Sequence, residues 1–232
     1  MPKWLGCVMD QNVSVSKEVL AGLLPGNDVL ELERPHVAGG ASFERVKRVL
    51  DITVAAFALI LLAIPMAVVG VIVRFESNGP ILYAQTRVGK NGKLFKLYKF
   101  RSMVLDAEED GIRWASDDDD RITSFGKVLR KTRLDEVPQF FNILKGEMSL
   151  VGPRPERPVF CDAFEDRIHG WHYRTLVTPG LTGLAQVEGG YDLLPKEKVV
   201  LDLKYIESRS AALDLAIILK TFGIITTGKG AR

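Results

Sequence analysis

The sequence predicts a mixed α/β fold that is mostly helical: a re-entrant membrane helix, then a compact domain with a short β-hairpin and interfacial amphipathic helices. Three features predict it. Residues 52–73 carry no charged side chain. Two strand-like runs are joined around Asn91-Gly92, and residues 125–134 place apolar and basic side chains at helical spacing. A chain of 232 residues is long enough for one domain with a sizeable core, with or without an appendage.

Charge and cysteine content narrow the classes of protein. The chain has 31 basic and 29 acidic residues and a net charge of only +2, which gives little support to nucleic-acid binding. Its two cysteines, Cys7 and Cys161, are far apart, and the first 25 residues lack an apolar run of the signal-peptide type. We therefore expect reduced thiols, a protein that faces the cytosol, and no nucleic acid among its partners.

Residues 1–43 are interpreted as a loosely structured N-terminal extension. Within it, residues 16–26 (SKEVLAGLLPG) favour one short helix, and residues 34–42 (RPHVAGGAS) are typical of a loop. We expect no catalytic chemistry in this segment.

Residues 44–80 form the predicted membrane segment. A straight helix over its uncharged stretch is about 33 Å long, just enough for a hydrocarbon core of about 30 Å. Pro65 lies past the middle, where it removes an internal hydrogen bond and favours a kink. Basic residues flank both ends, so the positive-inside preference gives no asymmetry. A helix that bends at Pro65 and returns to the same face satisfies both flanks, but a single kinked crossing fits the physics about equally well.

Residues 81–232 form the third predicted unit. Its opening strands meet at Asn91-Gly92, a strong signal for a hairpin with a type I′ turn. Further on, a helix capped by Thr123 or Ser124 has a basic face. That face is made by Lys127, Arg130 and Lys131. It suits solvent, lipid headgroups or a bound phosphate.

Two adjacent carboxylates, Asp135 and Glu136, follow this basic helix. Neighbours on a continuous helix point about 100° apart, so the pair implies a change of chain direction near Leu134. We expect Asp135 to be the N-cap of a second helix that starts at Glu136, has Pro138 in its first turn and closes at Gly146. A helix N-terminus also favours anions, both a carboxylate and a bound phosphate.

The segment GPRP, residues 152–155, holds Arg154 between two prolines. Pro153 and Pro155 restrict the backbone, which suits either a simple turn or a rigidly positioned guanidinium. The planar fork of arginine fits a phosphate or a base edge better than lysine does.

Several motifs in fixed order resemble those of the bacterial sugar transferases, the monotopic phosphoglycosyl transferase family. They are KRVLD (47–51), GPILYAQTRVGKNGKLFKLYKFRSM (79–103), DRITSFGKVLRKTRLDEVPQFFNILKGEMSLVGPRP (120–155), TPGLTGLAQVEGG (178–190) and LDLKYIESRSAALDLAIILKT (201–221). The resemblance covers roughly residues 44–222. It implies an enzyme of the bacterial cytoplasmic membrane, with its catalytic domain on the cytoplasmic face. Such enzymes transfer a sugar 1-phosphate from a UDP-sugar to a polyprenyl phosphate, commonly undecaprenyl phosphate, and release UMP.

The resemblance also implies roles for individual residues. Asp135 and Glu136 match the catalytic acid pair, with the aspartate as nucleophile on the β-phosphate, a covalent phosphosugar intermediate, and the glutamate in support. Family members use Mg²⁺, and Asp135 is the matched residue for contacting the metal. The positions matched to phosphate and nucleotide binding are Lys99, Arg130, Arg154 and the flanking Pro153 and Pro155.

Other matched positions have no assigned role. Asp202 and Tyr205 recur in the family pattern and are possible pocket residues. Where many members have an arginine, this chain has Gly190, so either Lys196 or Lys198 replaces it or the sugar pocket differs. The identity of the sugar therefore stays open.

The expected partners are the UDP-sugar donor, the polyprenyl phosphate acceptor and membrane lipids, and a homo-oligomer is possible. Trp114 and Trp171 suit anchoring at the membrane interface at least as well as sugar stacking. Two other functions are open: a glycosyltransferase that releases UDP, and a membrane scaffold without activity. The acid pair and its basic neighbours argue against both.

Overall fold

The computed structural model describes residues 15–105, 107, 119–189 and 193–227. The α-helices are α1 (Lys17–Leu23), α2 (Gly40–Leu61), α3 (Ala63–Glu76), α4 (Ser124–Thr132), α5 (Gln139–Lys145), α6 (Pro158–Glu165), α7 (Leu184–Glu188), α8 (Pro195–Ser208) and α9 (Ala211–Thr227). The strands are β1 (Leu30–Glu31), β2 (Leu82–Val88), β3 (Leu94–Phe100), β4 (Ser149–Val151), β5 (Ile168–His169) and β6 (Gly180–Thr182). Short 3₁₀ segments lie at Lys90–Gly92, Leu134–Glu136 and Trp171–Leu176. The prediction of a mixed, mostly helical fold is confirmed.

The strands pair two by two. β2 and β3 form the predicted antiparallel hairpin, while β1 pairs with β5, and β4 with β6, in parallel. The main core is built from α6, α8, α9 and the 3₁₀ segment Trp171–Leu176. Two smaller apolar clusters attach the hairpin to the helices around it, one with α2 and α5 and one with α3 and α4. The hairpin therefore packs both against the apolar segment, α2 and α3, and against α4 and α5, which lie on either side of the acid pair.

The hairpin turn has the predicted geometry. Asn91 (φ 54°, ψ 30°) and Gly92 (φ 76°) both adopt positive φ, as a type I′ turn requires. The Lys93 N–H donates to the Lys90 carbonyl oxygen at 3.2 Å. Asparagine and glycine tolerate this conformation better than other residues, which is why the dipeptide identified the turn.

The predicted membrane segment consists of α2 and α3, which are bent by 62° at the break between them. Pro65 lies in the first turn of α3, where N–H groups lack partners within the helix, so its missing donor costs little. No single helix in the described ranges is long and apolar enough to cross a membrane, but the bent pair together has the required length and composition. Large apolar side chains on both helices are exposed, among them Phe57, Ile60, Ile64 and Phe75.

The chain changes direction after α4, as the acid pair predicts, but Asp135 is not a helix N-cap. Arg133 takes a left-handed conformation (φ 60°, ψ 13°) and ends α4, and the two acids lie in the 3₁₀ turn that follows. α5 begins at Gln139, later than predicted, and closes at Gly146 as predicted. The N–H groups of Glu136 and its successor donate to carbonyl oxygens three residues earlier, so the turn already satisfies the donors that a capping carboxylate would take.

Residues 15–39 are attached more closely to the rest of the chain than a loosely structured extension would be. α1 forms where the sequence favours a helix, and Leu24 is buried in the main core. β1 pairs with β5, and the Ala38 N–H donates to the Ile206 carbonyl oxygen at 3.1 Å. These main-chain contacts join the segment to α8 and to β5.

Trp171 is a core residue, and the prediction of interfacial anchoring is wrong for it. Its side chain is 1% exposed, and its ring meets Phe164 edge-on with centroids 4.8 Å apart. The Arg174 guanidinium carbon lies 4.4 Å from the centre of the Trp171 ring. Its place in the main core accounts for the burial of this large aromatic residue. Trp114 lies outside the described residues.

Candidate active site

The acid pair is buried beside a lysine and an arginine that come from other elements. Lys99 Nζ, on β3, lies 3.0 Å from Glu136 Oε1 and 3.8 Å from Asp135 Oδ2. Arg154 Nη2 lies 2.5 Å from Glu136 Oε1. Asp135 and Glu136 are 5% and 8% exposed, so the two cations are the more accessible members of the group. Four residues predicted from separate motifs thus lie together.

Lys99 reaches the acid pair because the hairpin is fixed to α5. Apolar residues on the same face of β3 pack against α5. Asn142 of α5 then bonds to the edge of the strand: its Oδ1 accepts the Tyr98 N–H at 3.1 Å and its Nδ2 donates to the Lys96 carbonyl oxygen at 2.7 Å. Asn142 is fully buried, and its role was not predicted from the sequence. A single amide within the apolar run FFNIL was the available signal.

The two carboxyl groups differ in the direction of their pKa shifts. Burial by itself raises the pKa of Glu136, but Arg154 and Lys99 outweigh burial and hold that pKa well below its usual range. Burial also raises the pKa of Asp135, and there the more distant Lys99 does not overcome burial and the neighbouring charge of Glu136. Lys99 and Arg154 therefore compensate mainly the negative charge of Glu136. The charge of Asp135 is only partly compensated by these cations.

Arg130 lies close to the acid pair at the last turn of α4. Its Nε donates to Ser102 Oγ at 3.2 Å, and its positive charge acts to lower the pKa of Asp135. Thr123, one of the two predicted caps, begins α4 with its side chain accepting a backbone N–H. The change of direction at the end of the helix brings the arginine and the aspartate into one neighbourhood.

The loop around Arg154 is anchored through its main chain. Pro153 and Pro155 flank the arginine, as the motif indicates. Arg87 Nη1 donates to the Pro155 carbonyl oxygen at 3.1 Å, and Arg174 Nη2 donates to the Arg154 carbonyl oxygen at 2.9 Å. The restricted turn therefore has two guanidinium anchors that its own sequence does not indicate.

A second cluster of buried charges adjoins this loop and was not predicted. Glu156 is paired with Lys198 and Arg87, and Arg174 is paired with Asp202. Burial acts to raise the pKa of Glu156, but Lys198, Arg174 and Arg87 outweigh it and lower that pKa to about 2. The members come from β2, the loop after β4, a 3₁₀ segment and α8, so no local pattern brings them together. Only the four-residue spacing of Lys198 and Asp202 on one helix was visible in the sequence.

The two predicted pocket residues on α8 lie in different surroundings. Asp202 bonds to Arg174, which in turn bonds to the loop of Arg154. The Tyr205 hydroxyl donates to Asp214 Oδ1 on α9 at 2.8 Å. Hydrogen bonds thus connect Asp202 to the site and connect Tyr205 to the neighbouring helix.

The position of the missing arginine, Gly190, lies outside the described residues. Of its two suggested replacements, Lys198 is paired with the buried Glu156. Lys196 Nζ donates to the Asp28 carbonyl oxygen at 2.7 Å, in the N-terminal segment. Both lysines have partners other than the acid pair, so the structure supports neither as the replacement.

The carboxylates suit a magnesium ion that is bound partly by its substrate. Mg²⁺ is usually held by one or two carboxylates together with substrate phosphates and water. Glu136 is already paired with two cations, whereas the charge of Asp135 is only partly balanced. In the part of the chain that the structure describes, no three His, Cys, Asp or Glu side chains form a metal-ligand cluster. Asp135 fits the role of metal ligand if substrate phosphates complete the set.

Comparison with known proteins points to one family. The sequence profile of the bacterial sugar transferases matches residues 42–228. The UDP-N-acetylgalactosamine-undecaprenyl-phosphate N-acetylgalactosaminephosphotransferase of Aeromonas hydrophila is 46% identical over 190 residues, which are 81% of this chain and 45% of the relative. The UDP-glucose:undecaprenyl-phosphate glucose-1-phosphate transferase of Caulobacter vibrioides is 35% identical over 234 residues, 97% of this chain and 88% of the relative.

The matched lengths show what the likeness covers. The chain spans less than half of the Aeromonas relative but most of the Caulobacter one. A putative undecaprenyl-phosphate N-acetylgalactosaminyl 1-phosphate transferase of Bacillus subtilis is 51% identical over 135 residues, 58% of this chain and 75% of the relative. The profile includes the acid pair and all of its basic neighbours. The chain therefore belongs to the bacterial sugar transferase family.

Proposed function

We propose that this protein transfers a sugar 1-phosphate from a UDP-sugar to a polyprenyl phosphate, commonly undecaprenyl phosphate, and releases UMP. The observation that carries the proposal is the convergence of Asp135, Glu136, Lys99 and Arg154 in one largely buried site. The names of relatives, which are undecaprenyl-phosphate sugar phosphotransferases, support it. The reaction is then the first membrane step of glycan or exopolysaccharide synthesis.

The reaction consists of two displacements at one phosphorus atom. A carboxylate oxygen of Asp135 attacks the β-phosphorus of the UDP-sugar, the bond from that phosphorus to the bridging oxygen breaks, and its electron pair leaves with UMP. A phosphate oxygen of the polyprenyl phosphate then attacks the same phosphorus. The bond from Asp135 to phosphorus breaks, which restores the carboxylate and yields a polyprenyl diphosphate sugar.

The cations of the site offset the charge of the phosphates. Lys99, Arg130 and Arg154 bind phosphate oxygens, with Arg154 presented by the Pro153 and Pro155 turn. Glu136 holds Lys99 and Arg154 in position through its ion pairs. Asp135 would hold Mg²⁺, which when bound supplies positive charge at the phosphate oxygens.

We infer that α2 and α3 enter the membrane and return, with the catalytic unit on the cytoplasmic face of a bacterial membrane. The 62° bend, the exposed apolar side chains of both helices and the basic residues at both ends support this topology. On α9, Leu215, Leu219 and Phe222 are exposed on one face, which suits a helix lying in the membrane interface. A site at the bilayer surface gives access to the phosphate of a lipid acceptor.

The sugar is left open by the relatives, whose names specify N-acetylgalactosamine, glucose or galactose.

A glycosyltransferase that releases UDP would leave both phosphates on the nucleotide and would not need a carboxylate aimed at phosphorus. A scaffold would need neither the buried acid pair nor its cations.

The proposal is tested with purified protein in lipid nanodiscs containing undecaprenyl phosphate. The protein is incubated with Mg²⁺ and, one at a time, UDP-glucose, UDP-galactose and UDP-N-acetylgalactosamine, and the released nucleotides are separated. We expect UMP from at least one donor and no UMP from the Asp135→Asn variant. Release of UDP instead would favour the glycosyltransferase, and no nucleotide release from a broad donor panel would contradict transferase activity.

A further inference from the structure

Arg174 holds the main chain at Arg154, at a distance from the reacting groups. Its Nη2 donates to the Arg154 carbonyl oxygen at 2.9 Å. Its Nε and Nη2 donate to Asp202 Oδ2 at 3.0 and 2.5 Å. Arg174 is 4% exposed and Asp202 is 1% exposed, so neither presents a surface to a substrate. The path runs from Asp202 through Arg174 to the backbone of Arg154, whose side chain bonds to Glu136.

The guanidinium of Arg174 is fixed in orientation as well as in position. Its central carbon lies over the Trp171 ring, 4.4 Å from the ring centre, and Trp171 in turn packs edge-on against Phe164. Asp202 bonds two of its nitrogen atoms. The Trp171 ring, the Asp202 carboxylate and the Glu156 carboxylate, whose Oε1 is 4.0 Å from Nη1, together hold the guanidinium with Nη2 directed toward the Arg154 carbonyl oxygen.

Stability alone does not account for this arrangement. Buried ion pairs repay their desolvation poorly, and apolar side chains of similar volume often serve stability as well or better. Apolar side chains cannot donate to a carbonyl oxygen. Since Arg87 also donates to the Pro155 carbonyl oxygen, the Arg154 loop is held from both sides by arginines of distant elements. Arg87 and Arg174 have in common that each donates to a main-chain carbonyl group of the Arg154 loop.

We propose that Arg174 is a positioning residue for Arg154 and that Asp202 orients Arg174 for this purpose. The inference rests on the proposed function, because Arg154 is taken to bind the phosphates of the donor. Under this proposal Asp202 orients Arg174 and does not contact the sugar. A misplaced Arg154 costs activity even when its own side chain is unchanged, since phosphate binding depends on the geometry of the guanidinium.

The test is a double-substitution cycle with Arg174→Lys and Arg154→Lys. Lysine keeps the charge of Arg174 but cannot bond Asp202 twice and the carbonyl oxygen together. Arg209→Lys is a matched control: Arg209 is 5% exposed, pairs with Glu44, lies over the Phe43 ring and donates to the Ala38 carbonyl oxygen at 2.7 Å. Arg209 thus makes the same kinds of contact as Arg174, but the carbonyl group that it bonds belongs to the N-terminal segment and not to the Arg154 loop.

We expect Arg174→Lys to lower kcat/KM for UMP release at least tenfold, with a change in melting temperature similar to that of Arg209→Lys. In the Arg154→Lys background, Arg174→Lys is expected to cost less than twofold, because the group that it positions is already altered. Arg209→Lys is expected to cost less than twofold in both backgrounds. Losses that multiply in the double variant would overturn the inference, and so would equal losses for Arg174→Lys and its control Arg209→Lys in the wild-type background.

The test still decides if Arg174→Lys fails to fold. If Arg174→Lys does not fold, Asp202→Asn takes its place in the cycle, with the same expectation of a loss that depends on Arg154. Failure of both variants to fold would overturn the inference, since the network would then serve stability. Wild-type protein that releases no UMP would refute the proposed function itself, whereas active wild type with independent losses would refute only the positioning role.

Discussion

Lys99 Nζ lies 3.8 Å from Asp135 Oδ2, too far for a hydrogen bond. The same ammonium group is 3.0 Å from Glu136, and Arg154 also pairs with that glutamate. Of two adjacent buried carboxylates, one is therefore well compensated, and the other, the proposed nucleophile, is not. The raised pKa of Asp135 follows from burial that these cations do not fully offset. A bound metal ion would supply the remaining positive charge.

This asymmetry predicts the effect of Lys99→Gln on the pH profile. Asp135 attacks as a carboxylate, so activity falls as the pH falls through its pKa, and Lys99 acts to lower that pKa. Removing the ammonium moves the acidic limb of kcat/KM to higher pH and lowers activity at pH 7 at least tenfold, which is about 1.4 kcal/mol. Lys96→Gln changes an exposed lysine on the same strand and should leave the limb in place. An unmoved limb in Lys99→Gln would contradict the shared-cation arrangement.

Asp135→Asn is expected to abolish turnover without unfolding the protein. A carboxyl group whose folded-state pKa is raised opposes folding as the pH rises above its unfolded value of about 3.9. The amide removes that buried charge, so the melting temperature at pH 7 should equal or exceed that of the wild type. Calorimetry and UMP release measure the two effects. Activity within tenfold of wild type would show that Asp135 is not the nucleophile.

Arg154→Lys is expected to lower kcat/KM at least tenfold. A flexible ammonium group cannot reproduce a planar fork presented from a turn with prolines on both sides. Steady-state kinetics with the preferred UDP-sugar measures the loss. Arg167→Lys, which changes an arginine bonded to the Gly26 carbonyl oxygen in the N-terminal segment, is the control and should retain wild-type kinetics. If Arg154→Lys and Arg167→Lys had the same kinetics, the GPRP segment would be only a structural turn, without a role in substrate binding.

The re-entrant topology predicts that both ends of the α2–α3 pair lie on the cytoplasmic side. Single cysteines at the exposed positions Ser42 and Lys90, with Cys7 and Cys161 replaced, should resist a membrane-impermeant thiol reagent in intact cells and react after lysis. Labelling at position 42 in intact cells would show a full crossing. Pro65→Leu should increase such labelling, because it restores the hydrogen-bond donor and lets α2 and α3 run on as one helix.

The sequence predicted the parts of the fold that local chemistry determines. Asn91-Gly92 identified the hairpin turn, and Gly146 identified the end of α5, because few residues adopt positive φ at low cost. The acid pair indicated the change of direction after α4. The N-cap assignment to Asp135 failed because the chain closes a 3₁₀ turn there and starts α5 three residues later.

The parts that failed or were missed depend on contacts between distant segments. Trp171 resembles an interfacial anchor by residue type, but it is buried in the core cluster that includes residues of α6, α8 and α9. The charges around Glu156 are spread along more than 100 residues, and nothing in their spacing indicates that they meet. Asn142 joins α5 to the hairpin through main-chain groups, which no side-chain pattern reveals. Tertiary packing decides all three.

The central claim is that Asp135 becomes covalently attached to the sugar phosphate, and intact-protein mass spectrometry tests it most directly. Purified protein is mixed with Mg²⁺ and its UDP-sugar in the absence of polyprenyl phosphate. The reaction is then quenched, and the mass of the intact protein is measured. We predict a mass gain equal to one sugar phosphate, located on Asp135 by peptide mapping, absent in Asp135→Asn, and lost when polyprenyl phosphate is added. Release of UMP only in the presence of acceptor, with no adduct at any time after mixing, would contradict the claim and favour direct transfer.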